Sequence, residues 1–380
     1  MRITTPPWVP EAGASRSVAL EVLLHGPISR TEIARRLGLS AGSLTRLSTP
    51  LLEAGLLVEA GERGDGRAGR PSRLLDIVPA SRHFIGMKLM GDQVLGALTD
   101  LRADVITSRS ERFDNQDPEH VVAVIARIAA DLASQVPTVT ALGIGVGGLL
   151  DASGRVISAP FLEWSDVPLE TLVETATGIP TVVCNDLVAF TAYEHWFGAG
   201  RDLERFAVLT LGAGVGYGLV ANGAVVTSPD AGIGLVGHWP LDPFGPVCPA
   251  GHRGCARSIL TQSAIVGGVS SALGRTVDYE EALTLADQGE PAARRIVDDA
   301  GRGLGRLIAA VANLTMPQIV VLGGEGVRLV EVARLAIEEG IASDRDPRAR
   351  LVPIVTTTGD NTEWCRGAAA IAIQTHVLAS

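Results

Sequence analysis

The stretch Leu211-Gly212-Ala213-Gly214-Val215-Gly216-Tyr217-Gly218 decides the fold of this chain. It lies inside an apolar segment, residues 206–226, and its four glycines allow the tight backbone turn that joins two strands of a hairpin. Backbone N–H groups in such a turn can hold a phosphate, although glycine-rich hairpins keep their glycines for turn geometry at least as often. The motif alone therefore predicts a hairpin and leaves phosphate binding open.

Strands and helices alternate on both sides of this hairpin. Buried strands are predicted where apolar runs end in a glycine turn or a polar pair, and helices where apolar residues recur every three or four positions. The predicted strands lie at 84–100 (two strands), 141–148, 181–185 and 318–324, and the predicted helices at 117–135, 187–197, 291–314 and 362–377. This order predicts an α/β protein with more than one sheet.

The composition is that of a well-buried globular protein of two or three domains. The chain has 380 residues, 46% of them hydrophobic, and a mean hydropathy of +0.27. It contains no uncharged apolar run of about 18 residues or more, so no membrane span is expected. No apolar signal core follows Met1, and we expect a cytoplasmic protein. Four cysteines indicate no disulfide framework in a chain of this size.

Charge is unevenly distributed along the chain. The net charge is −10, but residues 1–80 carry ten arginines against eight acidic residues. The following 300 residues carry 22 basic and 34 acidic side chains. Any contact with nucleic acid is therefore expected from the N-terminal part.

Two short helices with a tight turn between them are predicted within the N-terminal part. Ser29 and Glu32 have the spacing of a capping box at the start of the first helix. Gly38 is placed to end that helix, and Ser40 is placed to cap the second. A helix at about 16–24 would supply the third hydrophobic partner. This arrangement is typical of a helix-turn-helix.

The second helix and the glycine-rich loop that follows supply the predicted DNA contacts. The helix would present polar side chains to the major groove, and the loop at 62–72 would form a wing whose arginines suit phosphates or a narrow minor groove. The residues expected to contact DNA are Ser40, Ser43, Thr45, Arg46, Arg67 and Arg70. Pro50 is expected to kink or end the second helix early. The alternative is a small helical protein-interaction module with a solvated basic loop.

Several motifs together give this chain a specific resemblance. In order they are the predicted helix-turn-helix with Gly69-Arg70-Pro71, the pair Asn185-Asp186, the Gly212–Gly218 turn, the segment Gly237-His238…Cys248…Gly251-x-x-Gly254-Cys255, and Leu322-Gly323-Gly324. Their order and spacing resemble the ROK family of repressors and kinases, in particular its repressor branch, over residues 16–375. The resemblance implies a winged helix-turn-helix followed by a two-lobed, actin-like (ribonuclease-H-like) domain with a cleft between its lobes.

The resemblance also implies domain boundaries, assembly and a function. Residues 1–79 would form the DNA-binding domain with its wing and linker, residues 80–186 with 362–380 the first lobe, and residues 187–361 the second lobe with a zinc loop. Two chains would pair as a homodimer, or assemble further as a homotetramer, and bind an inverted-repeat operator in double-stranded DNA. The implied function is that of a transcription regulator, a repressor, that senses a carbohydrate-derived effector.

Kinases of the family begin with an Asp-x-Gly-Gly-Thr turn, and this chain departs from it. Aligned on Gly86, Lys88 stands in place of the Asp, Met90 in place of a glycine and Asp92 in place of the Thr. Each change opposes ATP binding, so neither ATP nor Mg²⁺ is expected and the chain is predicted not to be an enzyme. Asp186 matches the kinase base. It would then be a relic that accepts a hydrogen bond from a ligand hydroxyl, or alternatively a polar helix cap.

The sugar contacts that the resemblance implies are only partly kept. An Asn and two Glu of the family pattern are replaced by Phe161, Leu235 and Arg257. Each lost hydrogen bond weakens binding by about 1–3 kcal/mol, and an arginine favours an anionic ligand such as a sugar phosphate or acid. The predicted ligand contacts are Trp164, Asn185, Asp186, His238 and Arg257. The alternative is an empty site.

The resemblance further implies a zinc site of the pattern His…Cys-x-Cys…Cys. His238, Cys248 and Cys255 match three of the ligands, and Ala250 replaces the middle Cys. His252 can take the fourth position, because structural zinc requires four ligands in a tetrahedron. We therefore expect a structural zinc on these two histidines and two cysteines. The alternative is a metal-free loop held by packing.

Two other functions remain open at this point. The first is a sugar kinase that carries a DNA-binding head, which the residues at 88, 90 and 92 oppose. The second is a DNA-binding scaffold without a ligand, whose ROK domain only dimerises or docks a partner protein. The eroded sugar pattern favours this scaffold over the kinase.

Overall fold

The computed structural model describes residues 13–63 and 72–378. Arg67, Arg70 and the rest of the predicted wing tip therefore lie outside the described residues. The chain divides into two compact units. One holds the chain up to Phe197 and again from Trp364, and the other holds Gly198–Glu363.

The N-terminal head consists of three helices and a small sheet. Its elements are α1 (Ala14–His25), β1 (Ile28–Ser29), α2 (Arg30–Leu37), α3 (Ala41–Glu53), β2 (Leu57–Arg63) and β3 (Ser72–Ile77). The sheet is antiparallel with the order β1-β3-β2. Both predicted caps are present: Ser29 Oγ accepts from Glu32 N at 3.2 Å, and Ser40 Oγ accepts from Ser43 N at 3.1 Å. Gly38 ends α2 with φ +63°, a left-handed conformation that glycine adopts without strain.

The expectation that Pro50 ends α3 early was wrong. The helix continues for three more residues to Glu53, and the Pro50 carbonyl accepts from Ala54 N at 2.9 Å. Proline lacks the amide that would bond to the carbonyl four residues earlier, and its ring crowds that carbonyl. Pro50 is exposed and lies in the last turns of α3, so water can satisfy the carbonyl that the missing amide would have bonded.

The next part of the chain forms the rest of the first unit's sheets. Its elements are β4 (Phe84–Leu89), β5 (Gln93–Thr99), β6 (Val105–Arg112), α4 (Pro118–Ala133), β7 (Ala141–Val146), β8 (Leu149–Leu150), β9 (Val156–Ala159), β10 (Trp164–Val167), α5 (Leu169–Thr177), β11 (Thr181–Asn185) and α6 (Asp186–Trp196). The main sheet has the order β11-β7-β4-β5-β6, and β8–β10 form a separate antiparallel sheet. All six residues of β7, an interior strand of the main sheet, are buried.

The second unit is built around a sheet with the same pattern. Its elements are β12 (Phe206–Leu211), β13 (Val215–Ala221), β14 (Ala224–Val225), α7 (Ala256–Leu260), α8 (Gln262–Leu273), α9 (Tyr279–Asp287), α10 (Pro291–Thr315), β15 (Val320–Gly323), α11 (Leu329–Val332), α12 (Arg334–Asp344) and β16 (Ile354–Thr356). The order β14-β13-β12-β15-β16 again joins three antiparallel strands to two parallel ones. This repetition confirms the predicted α/β architecture with more than one sheet.

The last helix, α13 (Thr362–Leu378), returns to the first sheet from Trp364 onward. Gly86 of β4 and Gly143 of β7 are opposite each other in the ladder. A side chain on either would collide with α13 main chain, at Cys365 and Ala368 respectively. On another side of α13, Gly367 approaches the main chain of α6. These contacts keep α6 in the first unit, so the unit ends after Phe197 and not at residue 186 as the sequence suggested.

The head and the adjoining sheet share one hydrophobic core. Val22 and Leu75 of the head belong to the same buried cluster as Phe84, Leu101 and the alanines of α13. Polar contacts reinforce this packing: Arg102 Nη2 donates to Asp76 Oδ1 of β3 at 2.5 Å and to a head carbonyl at 3.4 Å. None of the helices in the described ranges has the length and apolar character that a membrane span requires.

We expect Gly143→Ala to lower the free energy of unfolding by about 1–3 kcal/mol, because the added methyl group would run into the Ala368 carbonyl. Gly42→Ala in α3 is the matched control, since nothing lies within 4 Å of its added methyl group. That control should leave stability unchanged or raise it by up to ~1 kcal/mol. Urea denaturation followed by circular dichroism measures both, and equal effects of the two variants would contradict the close packing of α13.

Candidate functional site

The predicted DNA contacts at the start of α3 differ in how far their side chains are engaged within the helix. Thr45 and Arg46 are exposed, but the Thr45 hydroxyl donates to the Ala41 carbonyl at 3.0 Å. The Ser40 hydroxyl donates to Ser43 Oγ at 2.9 Å, so these two serines mainly build the start of the helix. Arg46 has no ion-pair partner among the described residues. It is therefore the side chain of α3 most available to a base edge or phosphate.

The arginines of the neighbouring helix α2 are already neutralised. Arg35 and Arg36 both donate to the Glu32 carboxylate, at 2.6–2.9 Å. These hydrogen bonds, that of Arg35 first, lower the pKa of Glu32 to about 2. Arg46 differs from these two arginines because no ion pair within the described residues engages it.

Lys88, the first of the three residues that the sequence analysis set against a kinase turn, is paired within the chain. Its ammonium group forms an ion pair with Asp186 Oδ2, and the two side chains are only 12% and 15% exposed. The Trp364 ring lies over the ammonium, with its centroid 4.5 Å from Nζ. The other Asp186 oxygen accepts from Leu187 N at 2.8 Å. Both oxygens of this carboxylate are therefore engaged, and a cation holds the group that would have to accept a proton.

Asn185 is the N-cap of α6. Its Oδ1 accepts from the amides of Leu187 and Val188, both at 3.1 Å, and its Nδ2 donates to the Gly148 carbonyl at 3.1 Å. The residue is 8% exposed. The sequence allowed Asp186 as the cap of this helix, but the N-cap is Asn185, and Asp186 is the first residue of the helix.

Trp164 closes one side of a cleft in the first unit. It is 5% exposed, and its indole Nε1 donates to the Gln116 carbonyl at 2.5 Å. The cleft has a volume of about 570 Å³ and is lined by Asp114–Pro118, Leu162–Ser165 and Val167. The Gln116 side chain also donates to Gly91 and Phe161 carbonyls, at 2.8 and 3.3 Å. This glutamine, which the sequence analysis did not single out, ties the substituted turn at 90–92 to the Trp164 loop.

The other two substituted positions of that turn are Met90 and Asp92, and the contacts described for them are local. Met90 is half-buried, and its amide donates to the Gln93 carbonyl at 2.9 Å. Asp92 is exposed and pairs with Arg112 at 3.4 Å. The charge of Asp92 is therefore screened by solvent and partly balanced by an arginine.

The four predicted metal ligands lie together in the second unit. His238 Nδ1 is 3.8 Å from the sulfur of Cys248 and 3.8 Å from that of Cys255. His252 Nδ1 is 3.6 Å from the Cys248 sulfur. Tetrahedral zinc with ordinary bond lengths would set nitrogen and sulfur ligands about 3.5 Å apart. His238, Cys248 and His252 form a group able to hold a metal ion, and Cys255 lies next to it.

The local backbone explains how these ligands meet. Cys248 N donates to the His252 carbonyl and Gly251 N to the Cys248 carbonyl, both at 2.8 Å, which folds the loop into a tight turn. Gly254 has φ +56°, and a side chain there would collide with the Asp242 main chain. Glycine at 254 is therefore required by conformation and by space.

The electrostatics of the loop favour ligand forms that bind metals. Burial lowers the pKa of His238, and the charges of His252 and Arg257 lower it further. Burial acts to raise the pKa of Cys248, but hydrogen bonds from the His252 side chain and from main-chain amides bring it down to about 7. Arg257 itself is exposed in the first turn of α7, two residues after Cys255.

The predicted ligand contacts divide between the units. Trp164, Asn185 and Asp186 belong to the first, and His238 and Arg257 to the second. Within the first unit, Asp186 lies beside Lys88, while Trp164 lines the cleft described above. Within the second, Arg257 is close enough to His238 to lower its pKa.

The ROK family model matches residues 84–375, so the chain belongs to the ROK family. Among relatives of established function, it is 25% identical to the DNA-binding transcriptional repressor Mlc of Escherichia coli K12. That alignment spans 362 residues and covers 91% of this chain and 89% of Mlc. The similarity therefore includes the head as well as the ROK domain.

Two solved structures extend the comparison. A ROK family transcriptional regulator, a homologue of E. coli Mlc, superimposes with a TM-score of 0.81 at 26% identity and covers 96% of each chain. The ROK hexokinase of Thermus thermophilus superimposes with a TM-score of 0.63 at 26% identity, covering 97% of its own length but 76% of this chain. The regulator thus matches this chain over its full length, whereas the hexokinase matches about three quarters of it.

We expect Lys88→Met to lower the free energy of unfolding by about 2–4 kcal/mol, because it leaves the Asp186 carboxylate largely buried without a counter-charge. The double variant Lys88→Met/Asp186→Asn should lose less than the sum of the two single variants. Arg112→Met, which breaks the exposed pair with Asp92, is the control and should cost under ~1 kcal/mol. Chemical denaturation of the wild type and the four variants measures these values, and strict additivity would contradict the pairing.

Proposed function

We propose that this protein is a DNA-binding transcription regulator, a repressor, whose ROK domain serves as a sensor. The observation that carries the proposal is Arg46, an exposed and unpaired cation of the described part of the head, on a capped helix in a winged helix-turn-helix arrangement. Similarity to the Mlc repressor over both head and ROK domain supports it. Two such heads in a homodimer, or four in a tetramer, would bind an inverted repeat in double-stranded DNA.

We also propose that the chain has lost sugar-kinase activity. Phosphoryl transfer requires a carboxylate that holds Mg²⁺ and a base that accepts the sugar proton. Lys88 replaces the first and forms an ion pair with Asp186, the residue in the place of the second. A cation at this position repels Mg²⁺ and occupies the carboxylate oxygen that would accept the sugar proton, so no catalytic cycle with ATP is expected.

The effector that we propose is a carbohydrate derivative with an anionic group. In the second unit, Arg257 is exposed and would pair with a phosphate or carboxylate. Taken by itself, the first unit offers the cleft that Trp164 lines. Asn185 is a weaker candidate, because the α6 amides and Gly148 already use its polar atoms. The head shares a hydrophobic core with the adjoining sheet of the first unit, so it could respond to a ligand bound in the cleft of that unit.

Zinc is the metal that we propose for the loop in the second unit. Two thiols and two imidazoles are one of its usual structural ligand sets. The nitrogen–sulfur separations of 3.6–3.8 Å for His238–Cys248, His252–Cys248 and His238–Cys255 support a tetrahedral ion. When bound, zinc would fix the conformation of the loop. His238, Cys248, His252 and Cys255 would hold it.

We expect protein purified with zinc to contain about one ion per chain, and Cys248→Ala to lose it together with thermal stability. His252→Ala tests the fourth ligand and should weaken zinc binding. Cys184→Ala is the control, because this thiol lies in the first unit, where it donates to the Ile144 carbonyl. Metal analysis and thermal melting measure both effects, and a wild-type protein without zinc would refute the site.

The DNA-binding proposal is tested by selecting an operator from random duplexes and measuring its affinity for Arg46→Ala. Loss of one base or phosphate contact should weaken binding by about 10- to 100-fold. Arg109→Ala is the control for lost charge, since this exposed arginine of β6 is paired with Asp131 at 2.6 Å. Wild-type affinity should also fall steeply with salt. No selected sequence, or equal losses for both variants, would count against the proposal.

A further inference from the structure

The glycine turn between β12 and β13 already holds an anion, and that anion belongs to the chain. Ala213 N donates to Glu325 Oε1 at 3.1 Å. The carboxylate of Glu325 also fills the space that a side chain on Gly212 would need. A main-chain N–H group in a glycine turn is the kind of donor that binds phosphate, and here a carboxylate oxygen accepts its hydrogen bond.

Hydrogen bonds to the main chain fix the segment that carries Glu325 against this turn. Gly326 N donates to the Leu211 carbonyl at 2.8 Å. Gln262 bridges the two segments. Its main-chain N–H donates to the main-chain carbonyl of Gly212 at 3.0 Å, and its side-chain Nε2 donates to the main-chain carbonyl of Glu325 at 3.1 Å. The buried Tyr279 hydroxyl donates to the Gly326 carbonyl at 2.8 Å. The segment after β15 is thereby fixed against the glycine turn.

The cavity beside Glu325 also disfavours a polyanion. It has a volume of about 760 Å³, and its lining contains four glutamates and two arginines. Both arginines are paired within that lining: Arg328 with Glu280, and Arg334 with Glu338 at 2.8 Å. Glu325 and Glu331 then leave the lining with an excess of negative charge.

We propose that Glu325 is a built-in occupant of the anion-binding turn at 212–214 and that its carboxylate excludes polyphosphates, including the phosphate chain of a nucleotide. A phosphate at the turn would compete for the same donor and meet a like charge within a few ångströms. This exclusion operates entirely within the second unit and is independent of Lys88. It gives a second reason, separate from Lys88, to expect no nucleotide chemistry.

The test measures binding of inorganic tripolyphosphate to the full-length protein by calorimetry at low ionic strength. Glu325→Gln keeps the size of the side chain and removes its charge, and Glu325→Ala also removes its bulk. We expect negligible binding by the wild type and at least about tenfold tighter binding by the alanine variant. Glu331→Ala is the matched control, because this exposed glutamate lines the same cavity without a hydrogen bond to the turn.

Each outcome decides the proposal. Gain of binding in the Glu325 variants alone supports it. No gain in either folded Glu325 variant, an equal gain in Glu331→Ala, or strong binding by the wild type would overturn it. Thermal melting of each variant verifies that it is folded. Operator binding by Glu325→Gln should remain at the wild-type level, so failure here is distinguishable from failure of the DNA-binding proposal.

Discussion

The close approach of α13 to the first sheet is the constraint on which the first unit depends. Gly86 and Gly143 are opposite each other in neighbouring strands, and together they leave a flat surface on which the helix backbone rests. The same helix carries Trp364 over the Lys88 ammonium and contributes alanines to the core beneath the head. One tightly packed helix therefore positions the substituted ion pair and supports the head.

In each unit, taken by itself, a charged side chain of the protein contacts a group that the sequence analysis considered for ligand binding. In the first unit Lys88 pairs with Asp186. In the second, Glu325 accepts a hydrogen bond from the glycine turn. The pair in the first unit is largely buried, and a buried charge without a partner is costly, so the two side chains depend on each other for stability.

Much of the fold followed from local sequence rules, because caps, glycine turns and apolar periodicity act over a few residues. The caps at Ser29 and Ser40 and the place of His252 beside Cys248 are of this kind. The partner of Lys88 lies 98 residues away, so only strand pairing could reveal it. The role of Glu325 likewise depends on two turns brought together across the second sheet. The prediction that Pro50 ends α3 early was wrong because the effect of a proline depends on its exposure and on its distance from the helix end.

The shared core beneath the head has a consequence for how such proteins diversify. Val22 and Leu75 on the head pack in one cluster with Leu101 and Ile373 of the neighbouring elements. A head with its own closed core could be exchanged between family members as a cassette. The head of this protein could not be exchanged in that way. A chimaera would also need the turn at 101–103 and the end of α13, because without them apolar surface would be exposed at the junction. Substitutions on the exposed surface of α3, in contrast, would leave the shared core beneath the head intact.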